Sequence, residues 1–447
     1  MLACVGEAGE QILLRGACAG HRVLLRSGRP DHNHTATDRL ARVSHELRLT
    51  RRQLVGAGAA AAAAAGTLSP ARALAHLAQT SLPAPGRSGI DHIVVVMMEN
   101  RSFDHFLGWL PGANGKQAGL SFVDSAGNAH QTHPLAPDFQ GCAFADPDHS
   151  YDGARVEFNN GACDGWLRAG RNDLYSIGYY GKTDLPFLGQ AAPRWTVCDN
   201  YFSAILGPTF PNRFYVHAGV TDRIANEYRV ATLPTIWDRL AEKRLTGRYY
   251  AGNTSFLLLW NQKYDSITKK HARFFADCRT GKLPHVAYVD PSYTLTDIGP
   301  GSGNTGFDDH PHADIRAGEW FLSRVYDAVT KSPAWPRTLL VITFDEWGGF
   351  FDHVPPPAGP DVDPRYEQRG FRVPTLLISP YARRGAVDHR LYDHTSILKL
   401  IEWRFGLQPL SARDAAAENL ASALDFSRRR LAAPKVAVPR FDIGAAC

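Results

Sequence analysis

A three-layer α/β/α sandwich around a mainly parallel sheet is the fold this sequence predicts, on three observations. Short β-branched runs alternate with segments of helical spacing, the pattern of strands joined by crossover helices. The strongest runs, Ile93–Met98 and Thr338–Thr343, are apolar at nearly every position, as strands covered on both faces are. Both runs end at acidic residues, where an open α/β sheet collects its ligand-binding loops.

The elements follow in chain order. Residues 1–49 have no clear periodicity and are set apart as an N-terminal extension. Thr50-Arg51-Arg52-Gln53-Leu54-Val55 precedes an uncharged, alanine-rich run to Leu68, and Ala73-Leu74-Ala75 offers small residues at a spacing a signal peptidase accepts. Residues 50–75 therefore read as a twin-arginine export signal, with the export machinery as a partner and a location outside the cytoplasm. The body spans 90–447. Its strands are predicted at Ile93–Met98, Arg248–Ala251, Val286–Val289, Thr338–Thr343 and Pro374–Ile378, with a weaker one at Thr196–Phe202. Helices are predicted at Ile315–Thr330, with Phe321, Val325 and Val329 on one stripe, and at Thr395–Phe405, stopped by Gly406. The polar, Gly- and Asp-rich stretch Ala113–Asp184 is expected to form inserted loops or a small cap.

Composition excludes several classes. Of 447 residues 44% are hydrophobic and 21% charged, which is not the balance of a disordered or fibrous chain. Beyond the first 75 residues no apolar stretch reaches the roughly 20 residues of a membrane span. The formal charge of +5 does not signal nucleic acid. Residues 1–75 hold 10 of the 49 basic side chains but only 5 of the 44 acidic ones, so the body is balanced. After Ala75 five cysteines remain, Cys142, Cys163, Cys198, Cys278 and Cys447; one or two disulfides fit an oxidising compartment, and the lack of CxxC spacing argues against a thiolate zinc site.

Three polar clusters carry the candidate chemistry. Strand 93–98 runs into Glu99-Asn100, whose oxygens suit a hard divalent cation or cap the next helix. Strand 338–343 runs into Phe344-Asp345-Glu346-Trp347-Gly348-Gly349. Adjacent carboxylates at a buried strand end repel unless a cation sits between them, and Trp347, Phe350 and Phe351 make this loop too apolar to lie in water. In Gly207-Pro208-Thr209-Phe210-Pro211-Asn212-Arg213 the hydroxyl of Thr209 stands at a helix start, as an N-cap or as a nucleophile beside the positive helix end. His149, His310, His312, His353 and His394 lie in loop-like stretches. About two of the five are expected to be ordinary surface or core residues, leaving the others for phosphate binding or proton donation.

Together the strings Met98-Glu99-Asn100-Arg101-Ser102-Phe103-Asp104-His105, Gly207-Pro208-Thr209-Phe210-Pro211-Asn212-Arg213, Asp309-His310-Pro311, Phe344-Asp345-Glu346-Trp347-Gly348-Gly349 through Pro356, and Tyr392-Asp393-His394-Thr395-Ser396 resemble the bacterial phosphoesterase family of phospholipases C and secreted acid phosphatases. The resemblance spans 90–430 in the same order. It implies an alkaline-phosphatase-like sandwich and hydrolysis of a phospholipid or small phosphate ester through a covalent phospho-enzyme. By matching motif, Glu99, Asn100, Asp345, Glu346 and Thr209 would hold one divalent metal ion (Ca, Mg, Mn or Zn), with Thr209 as nucleophile. His149 and His310 would bind phosphate and protonate the leaving alcohol, and His353 and His394 lie in family motifs without an assigned role. Thr209, where the acid phosphatase has serine, tilts the expectation to a phospholipase C, with a broad-specificity phosphomonoesterase as the alternative and a non-catalytic lipid-binding surface protein as a remote third. Phe210 replaces a residue that is often polar in relatives. The chain ends soon after the catalytic body, without the C-terminal β-rich domains of the larger phospholipases, a departure from the family pattern that weighs against membrane docking and lipid specificity of their kind. Tyr151, Trp166, Tyr179 and Tyr180 are candidates for a cation–π cage around choline or for core packing.

Overall fold

Why the apolar runs become strands is visible in what covers them. The computed structural model describes residues 82–294, 306–440 and 447, so residues 50–75, expected to be an export signal, and the extension 1–49 lie outside the described residues. Eight strands form one sheet: β1 (His92–Met98), β2 (Thr196–Cys198), β3 (Gly247–Ala251), β4 (Thr268–Lys270), β5 (Val286–Val289), β6 (Thr338–Phe344), β7 (Leu376–Ile378) and β8 (Ala386–Asp388). Their order is β8-β2-β7-β6-β1-β5-β3-β4. All pairings are parallel except those of β7, which runs antiparallel to both β6 and β2. Every residue of β6 and all but His92 of β1 are buried, as central strands with helices on both sides require.

The longer helices are α1 (Tyr151–Phe158), α2 (Thr209–Ala218), α3 (Ile236–Glu242), α4 (His271–Thr280), α5 (Ile315–Thr330) and α6 (His394–Phe405). Helix α2 packs against α3 and α6, and α4 packs against α5. The predicted stripe of α5 is buried at Phe321, Val325 and Val329, and the Asp314 side chain accepts from Arg316 N–H to cap it. Asp393 and Ser396 form a capping box at the start of α6, and Gly406, at φ 64°, ends it in the left-handed region.

Two strands of the main sheet escaped the sequence reading. Edge strands β4 and β8 have three residues each, too few to show a period, and β4 carries Lys269 and Lys270, residues that protect a sheet edge. The weak run 196–202 resolves into β2 and a separate two-residue strand, Tyr201–Phe202, that pairs with Tyr392–Asp393 outside the main sheet. The stretch 113–184 folds as a small cap with two short sheets and α1. It has its own core of Phe122, Trp166 and Ile177, joined to Trp347, Phe351 and Phe371 of the body. Cys142 and Cys447 form a disulfide, while Cys163, Cys198 and Cys278 are buried thiols.

Helix α5 carries a carboxylate into the core. Glu319 Oε2 accepts from Phe187 N–H (2.5 Å) and Leu188 N–H (2.9 Å), and among the described residues Oε1 has no hydrogen-bond partner. Burial pushes its pKa up to about 8. A folded-state pKa above the unfolded one favours the protonated form in the fold. Its contribution is therefore present below the ordinary carboxylate range and lost as pH rises through about 8. Glu319→Gln is expected to relieve that loss by an amount on the order of a few kcal/mol at alkaline pH and to change little in acid. Denaturant unfolding across the pH range checks this; superimposable profiles for the two proteins would show that the carboxylate titrates as it does in water.

Candidate active site

The two acidic tips meet because their strands are neighbours. β1 and β6 pair in parallel with Met98 opposite Phe344, so Glu99-Asn100 and Asp345-Glu346 leave the sheet side by side. Asp345 Oδ1 accepts from the backbone N–H of Asn100 (3.1 Å) and of Glu346 (2.7 Å). Asn100 has φ 58°, a left-handed conformation that asparagine tolerates, and it lies against Gly348, at φ 66°. A Cβ on Gly348 would stand 2.2 Å from Asn100 O, and one on Gly349 would stand 2.6 Å from Pro147 Cβ. The glycine pair thus lets the β6 tip pass directly under both the β1 tip and the loop that carries His149. Gly348→Ala is expected to cost about 1–3 kcal/mol of stability and to lower turnover at least tenfold by prying the tips apart. Thermal unfolding and initial rates check it, and a variant unchanged in both would show that the contact has no role.

Between the tips lies a cation the sequence reading did not assign. Arg213, on α2, donates from Nη2 to Glu99 Oε1 (2.7 Å) and from Nε to Asp345 Oδ2 (3.0 Å), and Nη1 pairs with Asp290 Oδ2 (3.2 Å). All four side chains are almost fully buried. Asp290 was missed as well, although it directly follows the apolar run 286–289 and so carries the same strand-end signal that exposed Asp345. Burial raises the pKa of Glu99 well above the ordinary value, with Asp345 adding to the rise and Arg213 opposing it. Glu346 is also raised by burial; His149 opposes this and Asp345 reinforces it. Glu346 Oε2 accepts from Gly348 N–H (2.6 Å), but among the described residues its buried Oε1 accepts no hydrogen bond.

Thr209 is the first residue of α2 and not its cap. Pro208 occupies the cap position, no side chain caps the helix, and Thr209 Oγ1 instead faces Asn100 Oδ1 at 3.5 Å. Asn212, also unassigned by the sequence reading, holds that turn. Its Nδ2 donates to the carbonyls of Ile205, Gly207 and Pro208, and its Oδ1 accepts from Ile205 N–H. Phe210 N–H donates to Asn226 Oδ1 (2.8 Å).

Two of the histidines reach this place. His149 Nδ1–H donates to Pro147 O (2.8 Å), which leaves Nε2 facing Asn100 Nδ2 at 3.4 Å and Glu346 Oε1 at 4.0 Å. Burial works against charge on the ring, yet Glu346 and Asp146 carry its pKa above the ordinary histidine value. His310 sits on a loop tied to the β1 tip by Glu99 N–H to Asp308 O (2.8 Å) and Arg101 Nε to Asp309 O (2.7 Å), and its ring lies 5.9 Å from that of His149, nearly perpendicular. Glu99, His149, Thr209, Arg213 and His310 line one cavity of about 570 Å³.

The other three histidines lie elsewhere. His394 is buried behind the β6 tip, where Nε2–H donates to Asp345 O (2.6 Å) and Nδ1 accepts from Tyr201 OH (3.2 Å); burial lowers its pKa, so the neutral ring positions Asp345. His353 joins Asp104 and Asp352, whose donor atoms converge within 4.8 Å, but Arg372 already bonds both carboxylates, at 3.1 and 2.9 Å. His312 does not line the cavity. The aromatic cage is not assembled: Trp166 and Tyr180 are core residues, and neither Tyr151 nor Tyr179 lines the cavity that holds Thr209.

Known proteins are similar to this chain along most of its length. It is 31% identical to phospholipase C B of Mycobacterium tuberculosis, covering 88% of each chain, and 32% identical to non-specific phospholipase C1 of Arabidopsis thaliana, covering 73% of this chain and 69% of that one. Among solved structures, a protein of the alkaline phosphatase superfamily from Vibrio parahaemolyticus aligns over 75% of this chain and 72% of its own at 12% identity and a TM-score of 0.38. A model of the phosphoesterase family matches residues 90–408, the segment that carries both acidic tips, the α2 start and the His149 and His310 loops, and the chain belongs to that family as a phosphoester hydrolase.

Proposed function

We propose that this protein is an exported phospholipase C that cleaves phosphatidylcholine-type lipids to diacylglycerol and a phosphorylated headgroup through a phosphothreonine on Thr209. The observation that carries the reading is the position of Thr209 Oγ1, at the first turn of a ten-residue helix, beside Asn100 Oδ1 and on the wall of the cavity. The helix N-terminus favours negative charge there, so a phosphoryl group on that oxygen is stabilised where it forms.

The donors fit one hard divalent ion. Asn100 Oδ1, Thr209 Oγ1 and the buried Glu346 Oε1, which accepts no hydrogen bond among the described residues, would hold it, with Asp345 and Glu99 completing the set and sharing their charge with Arg213. When bound, such an ion lowers the pKa of the threonine hydroxyl and offsets charge on the phosphoryl oxygens. Thr209 Oγ1 gives up its proton to solvent as it forms the new bond to phosphorus, the P–O bond to the glycerol oxygen breaks, and that oxygen takes a proton from His310, which solvent then reprotonates, with His149 binding a phosphoryl oxygen. Water then hydrolyses the phosphothreonine, releasing the headgroup phosphate and restoring the hydroxyl. A diester is favoured over a monoester because Phe210, Phe256 and Leu259 give the cavity an apolar wall, which suits a second ester arm. The segment Thr50–Ala75 and the Cys142–Cys447 pairing support export to an oxidising compartment.

The test compares p-nitrophenyl phosphorylcholine with p-nitrophenyl phosphate, with and without chelator, and with metal analysis of the same sample. The reading expects faster turnover of the diester and loss of activity on metal removal. Faster turnover of the monoester would assign a phosphatase instead.

A further inference from the structure

The apolar wall of the cavity does not stop at its mouth. Phe210, next to Thr209, packs edge-on against Phe256 (ring centroids 5.6 Å apart) and against Tyr228 (5.2 Å). Phe256 and Leu259 are buried, whereas Tyr228, Val230 and Leu258 are 83%, 59% and 56% exposed and line the same cavity. The rim is tied to the site. Asn226 holds the first turn of α2 through Phe210 N–H, and Ala231 N–H donates to Leu259 O (2.7 Å), which fixes the two rim segments side by side. The rim's cation is already neutralised, since Arg229 pairs with Asp222 and Glu227.

We propose that Tyr228, Val230 and Leu258 enter a phosphatidylcholine surface, and that Phe210, Phe256 and Leu259 beneath them receive the first part of the acyl chains. The inference rests on reading the cavity as a site for lipid phosphodiesters and deepens it. Continuity decides the occupant: a protein seated on this rim would stopper the mouth, whereas a lipid surface covers the rim and supplies the substrate in the same act. Because the exposed side chains are apolar and the rim arginine is paired, binding is driven by burial of apolar area and not by surface charge.

The experiment is sedimentation of the full chain with phosphatidylcholine vesicles, with no need for turnover. Wild type is expected to bind them and to keep binding at high salt. Val230→Asp with Leu258→Asp should lower the partition about tenfold or more, and Tyr228→Ser, at the most exposed position, should weaken it with the fold intact by thermal unfolding. Val362→Asp, an exposed valine outside the cavity, should bind as wild type does. Wild-type levels of binding by both rim variants, or binding that requires anionic lipid and vanishes with salt, would overturn the proposal. Turnover of p-nitrophenyl phosphorylcholine without vesicle binding would sink the rim and leave the reaction standing. Vesicle binding without turnover of that ester would support the rim and remove the reaction.

Discussion

Thr209→Ala is expected to lower kcat by about 10⁴–10⁶, the scale on which removal of a covalent nucleophile acts. The side chain is almost completely buried, and its hydroxyl makes one long contact, to Asn100 at 3.5 Å, so the variant should fold normally. Thr209→Ser keeps an oxygen at the start of the helix and should retain activity within about tenfold. A sharper readout is chemical. Wild type quenched in acid during turnover should carry one phosphoryl group on the peptide that contains Thr209, and the alanine variant none. Full activity in Thr209→Ala, or label on another residue, would remove the covalent route while leaving the family assignment untouched.

Arg213→Ala should produce the largest combined loss of stability and activity. One guanidinium pairs with Glu99, Asp290 and Asp345 in a buried site, and breaking such a network by removing a single partner costs about 3–5 kcal/mol. Its loss also frees the tip carboxylates to move, so turnover should fall at least a hundredfold. The pH dependence has a defined sign. Burial already raises the pKa of Glu99 and of Asp290 in the fold against the pull of Arg213, so without the arginine both rise further. The deficit should therefore be small in acid, where both folded and unfolded carboxylates are protonated, and should grow as pH rises through those raised values. Arg213→Lys keeps the charge but gathers its donors on one nitrogen in place of a planar fork that reaches three carboxylates, and should recover only part of both losses. A variant as stable as wild type at neutral pH would mean that another cation holds the three carboxylates.

How much of this was legible depends on whether the signal was local. Strands β1 and β6 were readable because both faces are covered and nearly every position is apolar, and α5 and α6 because their apolar period and caps agree. Strands β4 and β8 were not, since three residues at an edge carry no period. Among site residues, Glu99, Asn100, Asp345 and Glu346 stood out as polar groups that end apolar strands. Arg213 and Asn212 did not, because an arginine and an asparagine on a helix read as surface until the opposite wall is known. The histidines divide for the same reason. The five share similar loop-like surroundings in sequence, yet His149 and His310 face the cavity, His394 braces Asp345, and His353 belongs to a separate ionic group with Arg372.

The amino-acid sequence by itself determined the class of fold, the family, and the two polar tips and hydroxyl on which the proposed reaction draws, because each is written in neighbouring residues. Only the tertiary structure decided that β1 and β6 lie adjacent with Met98 opposite Phe344, that an arginine rather than open space lies among three carboxylates, and that an apolar lane runs from Phe210 to the surface. Those facts depend on strand order and helix docking, which are set by burial summed over the whole core and leave no mark in any single stretch of chain.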